Sequence, residues 1–171
     1  MTVREVSVPA TSAIRIYLPG SNFGDAYQVS VPARDERIEE CYHGVMGSMP
    51  GWFSQLFKLR NMIVRPFGLE APPADEIENM TVQDSYAVGD KIGVFYFFGR
   101  TDDELITGAD DKHLDFRLSL LRERRGTEDL FTVSTLVKTH NIFGRSYLAT
   151  IMPFHRMGVQ ALLGNWAKKR S

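Results

Sequence analysis

Between residues 81 and 139 the hydrophobic pattern changes period, and that change restricts the fold more than any other feature of the chain. Upstream, apolar residues recur every three or four positions. Here they alternate, in segments at 81–88, 91–99, 104–107, 112–121 and 129–139. The pieces between them, "GD", "GRTDD", "GADD" and "RRGTED", have the composition of turns. Connections this short join strands running in opposite directions, so the region reads as an antiparallel meander.

Helical patterns flank the meander. From Ala33, the residues Ile38, Cys41, Tyr42 and Val45 fall on one stripe. Asp35 and Glu36 stand where the helix dipole favours negative charge, and Gly47 ends the helix. The run "PGWFSQLFKLRNMIVRPFGL" repeats the spacing at Trp52, Leu56, Leu59 and Ile63 and closes near Gly68. These two short helices follow a first strand, "AYQVSVP", in which Tyr27, Val29 and Val31 share a face before Pro32 stops the pairing. Residues 1–24 read as an N-terminal arm with a helical turn near Thr11, ending in the turn formers of "LPGSNFGD". At the other end, Leu148, Met152, Val159, Leu162 and Trp166 predict one long helix, bent near Ala149 by Pro153, with "AKKR" as a solvated tail. The order implies the α+β class: a curved antiparallel sheet wrapped around a long C-terminal helix, residues 25–171 forming a single domain.

Composition narrows the function classes. A chain of 171 residues with 43% hydrophobic and 24% charged residues buries enough surface to fold without disulfides or metals. The formal net charge of −1 supplies no field for gathering nucleic acid or anionic membrane, so neither is expected as a partner. One cysteine, Cys41, rules out an internal disulfide framework and suits a reducing cytoplasm. No apolar run approaches the roughly 18 residues of a membrane span, and "MTVREVSVPATS" lacks the apolar centre of a signal peptide. Phosphate-loop, nucleophile-elbow and H-E-x-x-H motifs are absent. The four histidines are too dispersed to announce a metal site, and no cofactor is expected.

The motifs "DKHLDFRLS", "THNIFGRSYL" and "PFHR" carry a resemblance. The chain resembles the helix-grip superfamily of START domains, polyketide cyclases and the birch-pollen allergen (SRPBCC). It is more closely similar to the bacterial family labelled domain of unknown function 2867. The likeness runs from about Asp25 to the final helix and is strongest between Asp110 and Arg156. Related segments also occur behind nucleotide-binding reductase-like domains, but this chain has no G-x-G-x-x-G. The resemblance implies a helix-grip fold with a pocket and leaves the activity open.

Within the meander, His113, Asp115, Arg117 and Ser119 alternate with Leu114, Phe116, Leu118 and Leu120. The period of two puts the rows on opposite faces. The simpler expectation sends the apolar row to the gripped helix and the polar row to a wetter, convex face. A functional reading has Asp115 orient His113 or Arg117 as a general base or anion clamp. His155 shares the helical stripe of Met152, Val159 and Leu162, so it is expected to face inward and to need a partner. Asn141 reads as a helix cap and Cys41 as core.

The favoured function is a domain binding a small hydrophobic ligand in a cavity lined by Phe95, Tyr96, Tyr147 and Phe154, with Trp52, Arg60, Arg117 and His155 as further contacts. The rivals are a cyclase- or hydrolase-type enzyme using His113 with Asp115, or His155, and a dimeric interaction module. Strand 91–99 places Ile92, Val94, Tyr96 and Phe98 on one side and Phe95 and Phe97 on the other. Apolar on both faces, it needs cover from a second subunit of a homodimer or from the N-terminal arm.

Overall fold

The computed structural model describes residues 1–52, 55, 83 and 85–171. Most of the expected second helix, the loop after it and most of the expected strand at 81–88 lie outside the described residues. Within that last segment, residues 85–88 are not strand.

Among the described residues, seven strands form one antiparallel sheet: β1 (Arg4–Val6), β2 (Phe23–Pro32), β3 (Lys91–Ile92), β4 (Phe95–Arg100), β5 (Glu104–Asp110), β6 (Leu114–Arg125) and β7 (Glu128–Thr139). Their order is β1-β2-β7-β6-β5-β4-β3. The meander thus runs inward from one edge, and β2 adds to its last strand along ten paired residues, from Phe23 opposite Val137 to Pro32 opposite Glu128. The helices whose bounds lie among the described residues are α1 (Ile14–Tyr17), α2 (Ile38–Met46) and α3 (Ile142–Arg170). No helix among the described residues is long and apolar enough to cross a membrane.

One face of the sheet carries the main core. Tyr27, Val29 and Val31 of β2, Leu105, Leu120, Phe131 and Val133 pack there against Ile38, Cys41, Tyr42 and Val45 of α2 and Leu162, Leu163 and Trp166 of α3. Where α2 crosses α3 the backbone comes very close, because a Cβ on Gly44 would lie 2.7 Å from the Trp166 indole nitrogen. Burying these side chains contributes on the order of 1.5–3 kcal/mol each before chain entropy is subtracted.

Several expectations change. Helix α2 starts at Ile38, so Glu39 and Glu40 rather than Asp35 and Glu36 occupy its first turn. The Glu40 carboxylate accepts the Arg37 backbone N–H at 2.9 Å, while Glu36 accepts Arg170 Nη1 at 2.5 Å and is held outside the helix. The strand expected at 91–99 is a hairpin: Gly93, at φ +59°, opens a two-residue turn that sets Ile92 opposite Phe95. Paired residues share a face, so Ile92 joins Phe95 and Phe97 on the core side instead of opposing them. Nor is the C-terminal "AKKR" wholly solvated, since Arg170 is buried against the Trp166 ring.

The largest difference concerns the outer face. The apolar row does turn to the helices, with Leu118 and Leu120 at the main core. Arg117 and Ser119 do turn away, but they are 5% and 0% exposed rather than wet. The N-terminal arm makes the difference. β1 extends the sheet beside β2, and Ile14 of α1 and Leu18 just after it pack with Val8 on Leu136. The Tyr17 hydroxyl sits where a Cβ on Gly99 would be 2.2 Å away.

Candidate functional site

Between the core face of the sheet and the helices lies a cavity of about 130 Å³. The sheet contributes Phe95, Leu118, Leu120 and Val133. Tyr42, Val45, Met46 and Met49 close it from α2 and the residues after it, and His155, Gly158, Val159 and Leu162 from α3. The helical stripe that carries Val159 and Leu162 inward carries His155 with it. The Tyr42 hydroxyl is bonded to the Thr107 hydroxyl at 2.9 Å, and burial pushes its pKa upward, so that wall stays uncharged.

His155 is the imidazole in this wall. Its side chain is 22% exposed, and its Nε2 lies 3.2 Å from both carboxylate oxygens of Asp25, with the hydrogen bond to Oδ1. Asp25 is buried on β2, two residues before Tyr27 on the same face. A carboxylate accepts only, so Nε2 donates, and in the neutral form of the ring the lone pair lies on Nδ1. Nδ1 has no partner among the described residues. Close by, burial together with the charges of Asp25 and Glu5 raises the pKa of the Tyr27 hydroxyl.

Asp25 was not singled out by sequence reasoning, although a signal existed. In "DAYQVSV" it holds the same parity as Tyr27, Val29 and Val31, so it is an acid on a core-facing row. What the sequence does not contain is the partner, 130 positions away.

The other candidate residues go to separate places. His113 precedes β6 and escapes its alternation. Its ring packs on Phe143, 4.5 Å between centroids, and its Nδ1 accepts from Asn141 Nδ2 at 3.0 Å. Asn141 in turn caps α3, accepting the Gly144 N–H at 2.9 Å. Asp115 meets His140 Nε2 at 2.9 Å. Arg117 takes both oxygens of Asp110, at 2.5 and 3.2 Å, and lies 3.5 Å from the Phe98 ring centre. The polar row is therefore not one connected network: each member is occupied by a different neighbour.

Of the ligand-contact candidates, Phe95 and His155 line the cavity. Tyr96 pairs with Gly108, opposite Arg117, and so points to the outer face. Trp52 and Phe154 are 42% and 48% exposed, Tyr147 is half-buried away from the described lining, and Arg60 lies outside the described residues. No cluster of metal-ligating side chains occurs among the described residues.

A second polar centre lies under the arm. The buried Glu104 carboxylate accepts the Ser12 hydroxyl at 2.5 Å, the Ala13 N–H at 2.8 Å and the Ser119 hydroxyl. All three donors belong to the protein, so this centre fastens the arm and offers nothing to a ligand.

No curated protein matches this chain. The family model described as "Protein of unknown function (DUF2867)" matches residues 17–162, from α1 through the meander to the cavity-lining stretch of α3, and the chain belongs to that family.

Proposed function

We propose that this chain is a helix-grip domain that holds a small, largely apolar molecule between α3 and the core face of its sheet. The observation that carries the reading is the cavity of about 130 Å³, whose described lining is aliphatic or aromatic apart from His155 and the bonded Tyr42 hydroxyl. Dry apolar cavities of about 150 Å³ accept a benzene ring, and apolar lining with few polar groups is the usual composition of a ligand pocket. The volume selects a single ring or a short branched chain over a lipid.

Benzene is the direct probe. It is expected to shift the methyl resonances of Leu118, Leu120, Val133 and Val159 and to raise the thermal midpoint by mass action. Val159→Phe fills the space and is expected to abolish both effects. Methyl resonances unmoved by saturating benzene, or moved equally in the filled variant, refute the reading.

A further inference from the structure

Granting that the cavity binds a small molecule, we infer that its proper ligand is of the phenol class: an apolar ring with one acidic hydroxyl, donated to Nδ1 of His155. Asp25 acts as the positioning residue. Three observations converge. His155 lines the cavity. Its Nε2 is engaged by Asp25, which is 6% exposed and makes no other side-chain hydrogen bond among the described residues. Its Nδ1 is unpartnered among the described residues and is not shut away from solvent.

Chemistry then selects the ligand. Asp25 holds a proton on Nε2, so in the neutral ring Nδ1 is an acceptor, and a ligand offering only a carbonyl or ether oxygen finds no donor there. A carboxylate ligand would bring a second negative charge toward Asp25, and an ammonium would lose its hydration against apolar walls. Neutral O–H and N–H donors remain, and of these an acidic hydroxyl donates more strongly than an alkanol or a neutral N–H. The volume that suits one ring suits a phenol.

The test compares phenol with benzene by methyl shifts on the wild-type protein and on His155→Leu and Asp25→Asn. Phenol's greater affinity for water is common to all three proteins, so the change in the benzene-to-phenol Kd ratio isolates the contact. That ratio is expected to fall about tenfold in His155→Leu, the loss of one hydrogen bond. Asp25→Asn can donate to Nε2 and so move the ring proton to Nδ1; it is expected to remove the phenol preference while leaving benzene binding intact. A readout on the wild-type protein does not depend on either variant folding: the Nδ1 ¹⁵N resonance is expected to be of the unprotonated type and to move on adding phenol but not benzene. If benzene binds while the ratio and the Nδ1 resonance stay unchanged, the phenol inference is overturned and the apolar cavity stands. If neither probe binds, both fall. An intact phenol preference in Asp25→Asn overturns the role of Asp25.

Discussion

Cys41 lies in the core with its thiol 3.7 Å from the Glu36 carboxylate, and burial pushes its pKa up to about 11, only partly offset by Arg170. At pH 8 almost none of it is thiolate, which is the reactive form. A disulfide reagent at that pH is expected to label the native protein at least about a hundredfold more slowly than the denatured chain. Comparable rates would show that Cys41 is reached without unfolding. Among the described residues, His43 and Glu36 contribute to the acid response. Burial lowers the pKa of His43 from 6.5, against a raising contribution from Glu39. Burial alone would raise Glu36, but its bond to Arg170 and that residue's charge outweigh this and hold it below 4.5. In each case the unfolded chain binds the proton more readily, so stability is full above the unfolded value and is lost as pH falls through the folded one. Urea midpoints are therefore expected to decline first below about pH 6.5 and again below about pH 4.5. His43→Gln should flatten only the first decline and Glu36→Gln only the second; a single decline untouched by either variant contradicts both assignments.

At the scale of elements, the α2–α3 crossing depends on Gly44 having no side chain. Alanine there gains up to about 1 kcal/mol of helix propensity. It also drives a methyl to 2.7 Å from an indole that stands edge-on to Phe131 and under Arg170. Overpacking of that kind costs about 1–3 kcal/mol, so Gly44→Ala is expected to lower stability by about 1 kcal/mol and Gly44→Val by more, read from denaturant midpoints. A stabilised alanine variant would mean that the helices separate freely. The arm is held by a comparable local device. Glu104→Ala strands the Ser12 and Ser119 hydroxyls and the Ala13 N–H, an expected loss of about 2–3 kcal/mol with faster proteolysis within residues 1–22. An unchanged midpoint and cleavage rate would show that the arm is held elsewhere.

Across the whole molecule, the arm makes the sheet two-sided. Of the side chains on which the homodimer expectation rested, Phe97 is buried in the core, while Phe95, against Phe116, Phe98, against Arg117, and Tyr96 are only partly buried. Deleting residues 1–22 would uncover Leu136, which packs with Ile14 and Leu18, and remove Ser12 from the Glu104 carboxylate that it shares with Ser119. The truncated protein is expected to sediment as aggregates or to melt well below the full chain; equal solubility and midpoint would refute a covering role for the arm. The sequence by itself determined what local periodicity can carry. Alternation assigned Leu118 and Leu120 to one face and Arg117 and Ser119 to the other, and helical spacing turned His155 inward, because a side chain's direction follows from its own backbone. Partnership was left to the tertiary structure. Nothing near His155 in the chain names Asp25, nothing near His113 directs it to Asn141 instead of Asp115, and nothing near Ser119 foretells the arm above it. Those choices depend on which distant segments the folded sheet brings within about 3 Å, and hydrogen-bond energy falls too steeply with distance to be settled before the chain has folded.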